Sequence, residues 1–157
     1  MADSEVLRAP HVLEYPYVRS VGPVIGAFLT ALRDDGRILG ARSSAADGSP
    51  TVVVPPTEYD PITGEDVGEL VEVGPGGVVT TWSWAAAPKK GQPLGRPFAW
   101  ALVLLDGADT AMLHVVDAGS PDAMASGMRV TAKLRPAAER LGQLADIECF
   151  VPEGGNP

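Results

Sequence analysis

A chain of 157 residues with 45% hydrophobic content has the size and composition of one globular domain. Its net charge of −8, from 20 acidic and 12 basic residues, creates a field that repels nucleic acid and anionic membrane surfaces. The single cysteine, Cys149, excludes an internal disulfide and any zinc site built from this chain's own cysteines.

Residues 1–20 lack the charged-then-apolar pattern of a secretory leader, and no apolar run approaches the roughly 18 residues of a membrane span, so the expectation is a cytoplasmic protein. The polar ends, 1–6 and 152–157, are expected to fray. Val24, Ile25, Phe28, Leu29 and Leu32 recur at spacings of three and four, which predicts an amphipathic helix over 21–34 with Ser20 placed to cap it. Asp34-Asp35-Gly36 ends that helix, although two acids there oppose its dipole and favour a frayed end. Arg37 to Gly40 reads as a short strand, and 43–50 as a small, polar connection.

From Val52 the vocabulary turns to β-branched and aromatic residues broken by turn formers. Val52 to Val54 runs into Pro55-Pro56, and Gly68 to Val73 into the turn Gly74-Pro75-Gly76-Gly77. Val78 to Trp84 ends at Pro88-Lys89-Lys90-Gly91, and Phe98–Leu105 and Ala111–Val116 flank the hairpin signal Asp106-Gly107-Ala108-Asp109. In 127–135 the residues Arg129, Thr131, Lys133 and Arg135 alternate with Val130, Ala132 and Leu134, and Ile147 to Val151 supplies a last strand. Counted from Glu69, five or six strands without alternating helices predict a mainly β protein, a five-stranded Greek-key barrel preceded by the helix, rather than a sandwich.

Few residues offer chemistry. His11 and His114 lie far apart in sequence with no motif to unite them; His114 reads as a packed or rim histidine satisfied by a hydrogen bond, and His11 as tail. Cys149 reads as a buried structural thiol. Asp60, Glu65, Asp66 and Glu69 are spaced too loosely for a calcium loop and read as a solvated acidic face. Trp82 and Trp84 share one strand face, and with Trp100 they serve either the core or a protein interface. Arg129, Lys133 and Arg135 form a basic stripe, either solvated or a partner contact.

Six segments in order resemble the domain-of-unknown-function-35 family: the helix followed by Gly36-Arg37-Ile38-Leu39-Gly40, Val54-Pro55-Pro56, Gly77 to Ser83, Pro97 to Asp106, Gly127 to Val130, and Cys149 to Pro152. The resemblance implies a leader over 1–20, a helix plus zinc-ribbon-like segment over 21–66, an OB-fold over 67–152 and a tail over 153–157. In that family two Cys-x-x-Cys knuckles flank the Pro-Pro step. Here Ser44, Asp47, Asp60 and Thr63 stand at those positions, a poor set for zinc, so a degenerate ribbon without metal is expected. Asx-type turns and packing of Val52–Val54 and Tyr59 would keep the ribbon's shape; otherwise 40–66 is a plain loop that orders on a partner.

The family also implies a role. Its members are noncatalytic companions of thiolases, of lipid-transfer-protein-type aldolases in steroid side-chain degradation, or of hydroxymethylglutaryl-CoA synthases, joined as hetero-oligomers. The leader Leu13 to Ser20 inclines the resemblance toward the steroid-type aldolase. This chain alone would then bind no cofactor, and a CoA thioester would sit at the interface with the partner. Lys89, Lys90 and Arg96 lie on a Pro-rich loop between two barrel strands, where they would meet CoA phosphates or the partner, or else remain solvated. Two other readings stand beside this one, a single-stranded nucleic-acid-binding OB-fold and a stand-alone acyl-CoA binder or small enzyme.

Overall fold

The computed structural model describes residues 9–18 and 20–154. Both ends expected to fray fall largely outside the described residues. The chain builds helix α1 (Pro23–Asp34), then three short strands, β1 (Ile38–Ser44), β2 (Pro50–Val53) and β3 (Leu70–Val73). Five barrel strands follow: β4 (Gly76–Ala85), β5 (Phe98–Leu105), β6 (Ala111–Val116), β7 (Arg129–Leu134) and β8 (Ile147–Pro152).

Helix α1 forms where the spacing predicts, burying Phe28, Ala31 and Leu32, but its cap differs. Gly22, not Ser20, is the N-cap, and Pro23 opens the first turn with a φ already suited to a helix. The orphan N–H groups of Val24 and Ile25 donate instead to the carboxylate of Glu58, at 3.3 and 2.8 Å. The two acids at the other end are each neutralised, Asp34 by Arg33 and Asp35 by Arg37, both at 2.7 Å. Arg33 within the last turn also suits the helix dipole, which offsets the cause of fraying.

Strand β1 is the centre of a three-stranded antiparallel sheet in the order β2-β1-β3. Ala41 faces Val53 on one side and Ile38 faces Val73 on the other. Gly40 permits this close packing, since a Cβ there would lie 2.6 Å from a Val52 methyl. The sequence reading therefore needs one correction: β3, grouped with the barrel, pairs with β1. Alternation alone marks a strand but not its neighbour. Residues 40–66 are likewise a hairpin and a turn closed by a Tyr59–Asp66 bridge, not a plain loop. Val54 packs into the core as expected, whereas Tyr59 is exposed.

Strands β4 to β8 close a barrel in the order β4-β5-β6-β8-β7, completed by antiparallel pairing of β4 with β7. All neighbouring pairs are antiparallel except β6 with β8. The Asp106–Asp109 hairpin joins β5 to β6, with Gly107 at a φ of +86° that a side chain would strain. Along β5 the residues Ala99, Ala101, Val103 and Leu105 point inward and are buried. Register sets Trp84 beside Ala99 and Trp82 beside Ala101, so small residues face large ones across the wall. Phe28, Leu32, Ile38 and Val73 share one apolar core with Val79, Val103, Val130 and Phe150, so helix, small sheet and barrel pack as a unit. No helix among the described residues is long and apolar enough to cross a membrane.

Candidate functional site

At the ribbon position a carboxylate does the organising. Asp60 accepts the hydroxyl of Ser43, together with the N–H groups of Ile62 at 2.8 Å, Thr63 at 2.9 Å and Ser44 at 3.3 Å. The Ser43 hydroxyl, then the Thr63 and Ile62 amides, hold its carboxyl well below the usual range against the opposing effect of burial. Asp60 is 6% exposed, which corrects its assignment to a solvated acidic face; Glu65, Asp66 and Glu69 do lie in solvent. Three of the four family ligand positions, Ser44, Asp60 and Thr63, thus meet through hydrogen bonds. The fourth, Asp47, turns away to accept both the N–H and the hydroxyl of Ser49, at 2.9 and 2.7 Å. Among the described residues no group of three or more His, Cys, Asp or Glu side chains is arranged to hold a metal ion.

The basic residues divide by their partners. Arg96 is paired with Asp117 across the barrel wall. Lys89 and Lys90 are exposed on the loop between β4 and β5, where the Lys89 N–H donates to Gln92 at 2.8 Å, and neither ammonium pairs with a carboxylate among the described residues. Arg129 forms a two-pronged bond to Asp106, at 2.6 and 2.7 Å, and a second contact to Glu153 at 3.0 Å. It thereby ties β7 to the β5–β6 turn and to the end of β8. Lys133 pairs with Glu148 at 3.1 Å, while Arg135 donates only to the Ala145 carbonyl, at 2.8 Å.

The three tryptophans do not form one patch. Trp82 and Trp84 share a face, as alternation requires, and that face packs half-buried on the core. Ser83 is the residue opposite Trp100, so Trp100 lies on the outer wall, edge-on to Phe98 at 5.3 Å and against Leu94, Val115 and Cys149. Beside it opens a cavity of about 240 Å³ whose walls include Trp100, Leu113, His114, Arg135, Leu144 and Glu148. Leu102 and Leu113, paired across β5 and β6, continue this apolar surface outward.

His114 shares its face with Met112 and Val116 and meets Phe150 edge-on at 5.5 Å. Burial lowers its pKa, with the backbone at Val115 and Leu144 acting the other way. The expected satisfying hydrogen bond is missing at one atom: Nδ1 is buried with no partner. His11 is exposed in the leader, and Cys149 is buried in β8, its thiol pushed up to about 11 by burial, with Glu148 and Asp117 adding to the rise. A buried thiol held protonated is not an activated nucleophile.

Asp146 is a residue that sequence reasoning missed. It is fully buried, and although burial pushes its carboxyl up, the N–H groups of Leu141, Gln143 and Gly142 prevail and hold it low. Those bonds measure 3.0, 3.2 and 2.7 Å, and they set the turn that launches β8 beside the cavity. The Gln143-x-x-Asp146 spacing of a reciprocal cap was the available signal.

Comparison with known proteins follows this geometry. Residues 70–135 match the family described as the ChsH2 C-terminal OB-fold domain. A chain of the Ltp2-ChsH2(DUF35) aldolase superposes with a TM-score of 0.58 at 22% identity, covering 86% of this chain and 98% of that one. The chain carries an OB-fold over this segment, and its whole fold is similar to that of DUF35-family structures. A DUF35-family protein of unknown function from Sulfolobus solfataricus superposes with a TM-score of 0.52 at 17% identity, covering 71% of this chain and 78% of its own. No curated protein matches the sequence. Strands β3 to β7 lie wholly in the matched segment, which also holds Trp82, Trp84, Lys89, Lys90, Arg96 and Trp100.

Proposed function

We propose that this chain is the noncatalytic subunit of a thiolase-superfamily enzyme, a thiolase or a steroid side-chain aldolase, acting on acyl-CoA thioesters. The observation that carries the reading is the extent of the likeness to a chain of the Ltp2-ChsH2(DUF35) aldolase, 98% of which finds a counterpart here. The one thiol is buried and held protonated, which suits a structural rather than a nucleophilic role. Reactive groups would then come from the larger subunit.

In this reading the CoA thioester binds where the two subunits meet. Lys89 and Lys90 are the basic residues of the β4–β5 loop suited to its phosphates, since Arg96 is committed to Asp117. The partner contact falls on the outer wall around Trp100, Leu102 and Leu113 rather than on Trp82 and Trp84, which turn inward. Arg129 and Lys133 serve the subunit's own strands before they serve an interface.

Affinity purification of the tagged chain from its native host, with partners identified by peptide mass, tests this. The expected result is a stoichiometric thiolase-fold subunit whose thioester turnover requires both chains. Replacing Lys89 and Lys90 by Glu should raise the complex's KM for the thioester and leave the complex assembled. Turnover by the purified chain alone, or calorimetric CoA binding as tight without a partner as with one, would refute the assignment.

A further inference from the structure

We propose that the cavity beside Trp100 is a binding site for a small apolar carboxylic acid, held by Arg135. Its volume of about 240 Å³ lies below the roughly 300–1,000 Å³ typical of sites for drug-sized ligands. A short acyl chain or a single ring fits that space; a polycyclic nucleus or a whole nucleotide does not. The apolar wall comes from Trp100, Leu113, Val115 and Leu144.

The charge at the wall selects an acid. Of the three cations on the β7 stripe, Arg129 and Lys133 are each paired, whereas Arg135 makes no salt bridge among the described residues; the buried Asp146 nearby acts on it only through space, its oxygens being taken by backbone N–H groups. Its Nε donates to the Ala145 carbonyl at 2.8 Å, which fixes the guanidinium at the cavity and leaves its Nη groups for a ligand. Glu148 also lines the cavity, but Lys133 balances its charge at 3.1 Å. His114, on the buried side, stays neutral near pH 7 because burial lowers its pKa, so it adds no charge of its own. His114 lines the cavity, and its buried Nδ1 has no partner in the protein. The inference concerns the isolated chain and does not rest on any partner.

The test is a titration of the full chain, followed by its amide proton–nitrogen spectrum, with sodium hexanoate, sodium benzoate and uncharged 1-hexanol. Hexanoate or benzoate should give saturable shifts at Leu113, His114 and Leu144, and hexanol should bind more weakly. Arg135→Gln should weaken the acids about tenfold, the loss of one charge-assisted hydrogen bond, and leave hexanol unchanged. Ala145→Phe, at an exposed position on the cavity mouth, should abolish the shifts while the spectrum stays dispersed. Acid shifts that do not saturate, that persist in Ala145→Phe, or that are as strong in Arg135→Gln would overturn the proposal.

Discussion

Glu58 caps the helix from across the chain, its carboxylate accepting the N–H of Ile25 at 2.8 Å over a separation of 33 residues. The connection between β2 and β3 is thereby tied to the helix by a polar contact. Gly22 makes the contact possible, because a Cβ on it would lie 2.1 Å from the Glu58 carboxyl carbon.

Glu58→Ala should therefore cost about 1 kcal/mol, the usual loss when a helix cap is removed. Gly22→Ala should cost a similar amount by displacing the same carboxylate. The two together should lose less than the sum of the single effects, since both remove one interaction. Urea unfolding of the four proteins measures this; full additivity would show that Gly22 and Glu58 act separately.

Acid should loosen the ribbon-like segment first. The folded-state pKa of Asp60 is depressed, so its contribution is present above the unfolded value of about 3.9 and is lost as pH falls through the folded value. Hydrogen-exchange protection, measured against the intrinsic rate at each pH, should fall below pH 4 at Ser44, Ile62 and Thr63, whose amides donate to Asp60, before it falls in the barrel. Asp60→Ala should show that loss of protection at neutral pH. Equal protection at those amides in wild type and Asp60→Ala would show that the carboxylate is dispensable.

The contrast between these residues and the barrel explains what a sequence discloses. Strands such as Arg129–Leu134 were legible because their period of two survives in the chain itself, and Asp106–Asp109 because its turn chemistry is local. Glu58 acts on Val24 and Ile25, and Asp60 on Ser43 and Ser44, residues brought near only by folding, whereas the Asp60 bonds to Ile62 and Thr63 form a local Asx-type turn of the kind the sequence suggests. Strand β3 was visible as a strand but its neighbour was not, and the separation of Trp100 from Trp82 and Trp84 depended on register across two strands. That Arg135 alone on the stripe makes no salt bridge among the described residues became apparent only once Asp106, Glu153 and Glu148 were seen to occupy its neighbours.

Zinc should not bind in stoichiometric amount. The lone pairs of Asp60 are engaged by four donors, and Asp47 faces Ser49 instead of the other three positions. Oxygen ligands of this kind hold zinc poorly compared with thiolates. Equilibration with zinc chloride, desalting and elemental analysis should give well under one metal per chain, with no rise in the thermal midpoint. One retained zinc per chain would contradict this account of the segment.

Cys149 makes a prediction in the alkaline range. Burial raises its thiol to about 11 in the folded chain, against an ordinary value of about 8.5 when unfolded. Between those values the unfolded chain has lost a proton that the folded chain keeps, so stability should fall as pH rises through that window. Cys149→Ala removes the effect, so the stability difference between wild type and variant should shrink steadily from pH 8.5 to pH 10. At pH 8 the native thiol should resist an aromatic disulfide reagent that titrates one equivalent in denaturant. Rapid labelling of the folded protein would mean that β8 opens far more readily than its burial implies.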